Sequence, residues 1–171
     1  VAPGAPAVSP SATCATSSPF TISAGGSPAG SDIWYWETAA NGTSTANNAS
    51  SSENESVGGT YYIRAQNSTG CWSAAAGSVA VTFAPAITPG TPTSVCPGAT
   101  SSLTYTGATN GPDKYNIVWN SAATTAGFAS VTNASLSSPI SISTPGAASG
   151  GTYTGTLTMI DTTTTCTTEY A

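Results

Sequence analysis

The chain has 171 residues, seven of them acidic, two basic and none histidine, for a formal net charge of −5. Arg64 and Lys114 are too few to neutralise the phosphates a nucleic-acid binder contacts or to hold a basic helix on a membrane surface. Without histidine, Ser-His and Cys-His catalysis and imidazole metal sites are excluded, and no apolar run approaches the roughly 18 residues that span a bilayer.

Serine and threonine make up about a third of the chain, while hydrophobic residues reach 39 %, with four Trp and seven Tyr. Thr, Ser, Gly and Pro disfavour long helices, and threonine and aromatics suit a pleated surface. The composition therefore predicts an ordered, all-β, extracellular protein. The four cysteines, Cys14, Cys71, Cys96 and Cys166, form no C-x-x-C pair. An even count at wide spacing reads as two disulfides in an oxidising compartment, with three connectivities open. Val1 is neither an initiator Met nor the start of a signal peptide, so the chain reads as mature or cut from something longer.

In chain order, the landmarks occur twice. A Pro-rich stretch (Pro3 to Pro10) precedes Cys14, and another (Pro85 to Pro92) precedes Cys96, 82 residues later. Each cysteine is followed by a short apolar alternation, Phe20-Thr21-Ile22 or Leu103-Thr104-Tyr105. An aromatic strand then ends in Trp36 or Trp119, 22 and 23 residues after its cysteine. A Gly-Gly-Thr-Tyr run follows, at Gly58–Tyr61 and Gly150–Tyr153, and Cys71 or Cys166 closes the unit. Landmarks repeated in one order indicate a duplicated unit, with domains at 1–84 and 85–171 and a semi-rigid, Pro-rich linker that would hold them end to end. Period-2 alternation predicts strands near 19–24, 32–37, 60–66 and 78–83, then 101–106, 115–119, 139–143 and 152–160. Trp34 and Trp36 share one face with Tyr35 opposite; Tyr61, Ile63 and Ala65 share one with Tyr62 and Arg64 opposite. Trp34, Trp36, Tyr61, Trp119 and Tyr153 are the expected core aromatics. Short strands at this spacing predict two β-sandwiches. The second unit has only five residues after its closing cysteine, so its last strand is expected to be short or missing, leaving a sheet edge open.

The run from Gly58 to Cys71 resembles the closing half of Ig-like repeats in large secreted Bacteroidetes surface proteins. Val95-Cys96-Pro97-Gly98 looks like the start of the same repeat class, which overlaps PKD-like modules. Such modules occur in gliding-motility adhesins, giant surface adhesins and secreted polysaccharidases, often exported by the type IX route. The resemblance implies two tandem Ig-like domains, each with one internal disulfide, Cys14–Cys71 and Cys96–Cys166. Bridges of that kind would close loops of about 60 to 70 residues, worth on the order of 4 kcal/mol each in the chain-entropy description.

The acids Asp32, Glu37, Glu53, Glu55, Asp113, Asp161 and Glu169 are scattered, so no catalytic pair is expected. No cofactor is expected either. Loop acids at Glu53-Asn54-Glu55 or Asp113 would suit at most a structural calcium, and no D-x-D-x-D spacing exists. Tyr35, Tyr62 and Trp72 are candidates for stacking on a surface polysaccharide, against the alternative that both tyrosines cover the outer sheet face and Trp72 packs on a disulfide. N-x-S/T matches at Asn41, Asn48, Asn54, Asn67 and Asn133 arise easily in such a composition. Asp161-Thr162-Thr163 resembles the O-glycan acceptor pattern of that phylum, with Thr162 as the acceptor. The expected role is a stiff, disulfide-stapled spacer in an adhesin or fibre on a bacterial cell surface, with neighbouring repeats as partners. A carbohydrate-binding accessory module and a filament subunit that exchanges strands are the alternatives.

Overall fold

A computed structural model describes residues 1–9 and 12–171; Pro10, in the first Pro-rich stretch, lies outside the described residues. The chain divides into two units, Val1–Phe83 and Ala84–Ala171.

Unit one contains β1 (Ala7–Ser9), β2 (Ala12–Ala15), β3 (Phe20–Gly25), β4 (Ile33–Glu37), β5 (Ser52–Glu55), β6 (Gly59–Gln66) and β7 (Gly77–Phe83). They form two sheets, ordered β1-β3-β5 and β2-β7-β6-β4. Alternation selects the inner faces: Ile22, Trp34, Trp36, Ile63, Ala65, Val79, Val81 and Phe83 form the core, with Tyr61 packed against its margin. Pairing within the second sheet is antiparallel except at its edge, where β2 runs parallel to β7. Glycine is required at position 77, because a Cβ there would lie 1.9 Å from the Pro6 carbonyl oxygen. The Glu53-Asn54-Glu55 run, expected in a loop, forms the edge strand β5, pairing Glu55 with Phe20 and Glu53 with Ile22. Charged residues on an edge discourage further strand addition, which accounts for acids in an otherwise poor strand sequence.

Unit two contains β8 (Ala86–Pro89), β9 (Thr100–Leu103), β10 (Tyr105–Thr109), β11 (Lys114–Trp119), α1 (Ser121–Thr125), β12 (Val131–Ser135), β13 (Ile140–Ser143), β14 (Gly155–Asp161) and β15 (Cys166–Tyr170). The Asn120 side chain caps α1 by accepting from the Ala123 N–H at 2.8 Å. The larger sheet is ordered β12-β11-β14-β15, accompanied by the pairs β13-β9 and β10-β8. The expected strand 101–106 changes partner at Thr104, pairing first with β13 and then with β8. Ile87, Leu103, Tyr115, Ile117, Ile140, Leu157 and Met159 form the core, with Trp119 packed against it. The last strand is present but short, and β15 is an edge.

The two Gly-Gly-Thr-Tyr runs behave differently. In unit one, Gly59, Thr60 and Tyr61 begin β6 and pair with Val81, Ala80 and Val79 of β7. In unit two, β14 begins only at Gly155, three residues later than the predicted strand, and its pairing with β15 starts at Leu157. Among the described residues no strand lies beside Thr152–Thr154, and a strand without a neighbour cannot satisfy its backbone groups.

The expected disulfide pattern is overturned. Cys14 and Cys166 are disulfide-bonded, whereas Cys71 and Cys96 carry free, exposed thiols. Cys14–Cys71 and Cys96–Cys166 therefore do not form, and strand geometry explains why. Cys14 lies level with the end of β7, beside the start of β6, while Cys71 follows the far end of β6. Seven strand steps separate those levels, about 23 Å, against the ~7 Å between Cα atoms that a disulfide tolerates. In unit two, Cys166 pairs with Asp161 at the end of β14, while Val95 and Pro97, the neighbours of Cys96, line the same cleft as Gly155 at its start.

Two thiols per chain should react with a thiol reagent without denaturant, and Cys71→Ser and Cys96→Ser should each remove one. In urea unfolding, Ile63→Ala and Ile140→Ala, both at fully buried positions, should each destabilise by about 2–5 kcal/mol.

Candidate functional site

The outer face of β4 and β6, read from the sequence either as a stacking surface or as a sheet face covered by its tyrosines, carries a second packed layer. Tyr35, Glu37 and Arg64 are all buried. The Tyr35 and Trp72 rings pack with centroids 5.5 Å apart, and the Arg64 guanidinium lies 5.6 Å from the Trp72 ring centre. Arg64 Nη1 donates to the Gly42 carbonyl at 2.8 Å, and Nη2 donates to the Ser73 carbonyl. Glu37 accepts from the Ser44 N–H at 2.9 Å and from Asn47 Nδ2 at 2.8 Å. The segments after β4 and β6 are thus drawn over the sheet by the chain's one arginine and one of its acids. Tyr35 and Trp72 face each other, so together with half-buried Tyr62 they make no open stacking row. Trp72 packs on Tyr35 and Arg64 rather than on a disulfide, because the adjacent Cys71 is free. The alternation was readable in the sequence; the covering loops had no periodic signal.

The Tyr61 hydroxyl donates to the Val57 carbonyl at 2.5 Å. Burial pushes the Glu55 carboxyl above the usual carboxylate range, with Tyr61 opposing this shift and Glu53 adding to it. Among the described residues, no three His, Cys, Asp or Glu side chains gather as a metal-holding group. No helix among those residues is long and apolar enough to cross a membrane.

Thr162 is exposed in the β14–β15 turn. Its N–H donates to Asp113 Oδ1 at 2.9 Å and its hydroxyl to Asp113 Oδ2. Asp161 accepts from the Thr163 N–H at 2.8 Å and the Thr164 hydroxyl at 2.6 Å. These bonds favour the ionised forms. The Thr162 hydroxyl holds Asp113 below the usual carboxylate range, and the Thr164 hydroxyl does the same for Asp161.

Unit two carries a cleft of about 570 Å³. Leu103, Ile117, Ile142 and Leu157 line its base, and the rim carries Tyr170 and residues 148–155. An aromatic ladder borders it: Trp119 and Phe128 have ring centroids 4.7 Å apart, and Phe128 and Tyr153 4.8 Å. Trp119 Nε1 donates to the Ala129 carbonyl at 3.0 Å, and the Tyr153 hydroxyl to the Ser149 carbonyl at 2.9 Å. Trp119 was expected in the core and lies at its margin. Tyr153, expected on a strand beside Leu157, sits in the preceding loop against Phe128, which sequence reasoning did not single out. No Asp, Glu, Lys or Arg lines the cleft.

Residues 3–85 match the family model described as Ig-like domain, CHU_C associated. The first unit is an Ig-like domain, similar over residues 3–85 to that family. The match covers unit one and ends at the first residues of unit two, so the resemblance read from the Gly58–Cys71 run holds for the Ig-like domain. No curated protein matches the chain.

Arg64→Ala should destabilise the Ig-like domain by about 3 kcal/mol in chemical denaturation and alter the near-ultraviolet dichroism of Trp72. The carboxyls of Asp113 and Asp161 are held low in the folded state. Their contribution to stability is therefore complete above the usual carboxylate range and fades as pH falls through their lowered folded values. NMR titration should give both midpoints below those of unfolded aspartate, and Thr162→Val should raise that of Asp113.

Proposed function

We propose that the chain is a spacer segment of an extracellular structural or adhesive protein and that its Ig-like domain bears tension. The observation that carries this reading is the parallel pairing of β2 with β7. These strands lie near the start and end of the unit, Val1–Phe83. Tension applied at those ends draws β2 towards its own N-terminus and β7 towards its C-terminus. Adjacent parallel strands pulled in this way are sheared, so their hydrogen bonds share the load instead of opening one by one. The Cys14 N–H also donates to Thr82 Oγ1 at 2.9 Å across an irregular stretch of the pairing.

The family that unit one is similar to supports an extracellular structural or adhesion-type role. The low charge and hydroxyl-rich composition suit such a role. With the within-repeat bridges not formed, the resistance assigned to the Ig-like domain lies in its sheets.

Single-molecule stretching of the whole chain under reducing conditions tests the proposal. Two unfolding events are expected, the stronger belonging to unit one. Thr82→Val, costing about 1 kcal/mol, should weaken that event and leave the other unchanged. Equal forces for both events, or a variant that alters neither, would overturn it.

A further inference from the structure

We propose that the Asn41-Gly42 pair is a self-modification site of the Ig-like domain. Asn41 converts spontaneously to isoaspartate, and the lengthened backbone draws the Gly42 carbonyl away from Arg64.

The chemistry is internal to the two residues. The Gly42 backbone nitrogen attacks the side-chain amide carbon of Asn41 and closes a five-membered succinimide. The amide nitrogen leaves as ammonia, taking up the proton that the Gly42 nitrogen gives up. Water then opens the ring. Attack at the side-chain carbonyl yields aspartate; attack at the main-chain carbonyl yields isoaspartate, whose backbone runs through the former side chain. A side chain on the following residue would hinder the approach of the nitrogen, and glycine removes that obstacle.

The sequence pairs Asn with Gly twice, at Asn41-Gly42 and Asn110-Gly111. The structure distinguishes them. Asn110 Nδ2 donates to the Ala84 carbonyl at 2.8 Å, which ties down the nitrogen that has to leave. Asn41 is exposed, and its side chain makes no hydrogen bond among the described residues. The Gly42 N–H donates to the Ala39 carbonyl at 3.0 Å, one bond of an exposed turn, so a brief local opening frees the nucleophile. Packing also demands the glycine. A Cβ at position 42 would lie 2.5 Å from Glu37 Oε2 and 3.0 Å from Glu37 Cβ. Burial of the Glu37 carboxyl against this loop therefore keeps a residue without a side chain next to Asn41.

The consequence falls on Arg64. Its Nη1 donates to the Gly42 carbonyl at 2.8 Å and its Nη2 to the Ser73 carbonyl, while its Nε is buried with no partner among the described residues. Isoaspartate inserts one carbon, about 1.5 Å of chain, directly before Gly42. That loop is already in contact with Glu37, so the Gly42 carbonyl is displaced. The guanidinium then keeps one carbonyl, and the loop after β4 is no longer tied to the loop after β6. The Ig-like domain thus carries an age-dependent weak point in its outer layer. The site lies apart from β2 and β7, so this inference and the load-bearing reading can fail separately.

The test incubates the whole chain at neutral pH, folded and in parallel in guanidinium chloride. Both Asn-Gly pairs are followed by peptide mass and by isoaspartyl methyltransferase labelling. In the folded protein Asn41 should convert at least about tenfold faster than Asn110, the factor that one hydrogen bond carries; in denaturant the two should convert alike. As Asn41 converts, the Trp72 indole resonance should shift and the denaturation midpoint of unit one should fall. Asn41→Gln, whose longer side chain cannot close the five-membered ring, should show neither change on the same incubation. Freshly prepared Asn41→Asp, which adds the charge without lengthening the backbone, should keep both values of the unaged protein. Four outcomes would overturn the proposal. They are an Asn41 that stays an amide while the denatured sample converts, equal conversion of Asn110 in the folded protein, isoaspartate at position 41 with Trp72 unmoved, and an aspartate variant that reproduces the shift.

Discussion

Backbone amides and carbonyls along β6 and β14 must find hydrogen-bond partners, and the supply of neighbouring strands governs how each unit is built. The same four-residue sequence, Gly-Gly-Thr-Tyr, opens a strand in one unit and lies in a loop in the other. Intrinsic preference cannot explain this, because the local sequences match. β7 pairs with the run in unit one, whereas the strand paired with β14 in unit two, β15, lies beside Leu157–Asp161. The released tyrosine, Tyr153, then finds a different apolar contact on Phe128.

A second constraint is the scarcity of charge. A chain with nine charged side chains has little with which to fasten its loops. Two of the nine are committed to the outer face of the Ig-like domain. Glu37 gathers donors from one loop, and Arg64 holds carbonyls from two while stacking on Trp72. Each of these groups is buried and hydrogen-bonded, which offsets the cost of removing its charge from water. In unit two the work passes to threonine. The run from Thr162 to Thr164 uses hydroxyl and amide donors on Asp113 and Asp161 to close the final turn.

Strands and inner faces were legible because period-2 alternation is local and strong. Residues 32–37 and 78–83 were placed within a residue or so of β4 and β7, and Trp34, Trp36, Ile63 and Ala65 were assigned to the correct face. Features set by distant residues were not legible. β2 and β8 are short and lie in Pro-rich sequence, and β5 is acidic, so none carries a periodic signal. The cysteine pairing taken from a related repeat class failed because it depends on the level at which each cysteine sits along its sheet. The cleft of unit two carried no sequence signal. Its aromatic border carried none either, since Phe128 follows a five-residue helix rather than lying on a strand.

The placement of the two basic residues has an effect on protein turnover. A proteinase that cuts after lysine or arginine must draw several residues of extended chain into its own active site. Arg64 lies within β6, under Trp72, with its strand bonded to β4 and β7. Lys114 opens β11 and is paired on both sides, with Ser135 and with Ile160. Trypsin-like enzymes therefore find both of their cleavable bonds locked into sheet, and digestion by them has to wait for unfolding of the unit concerned.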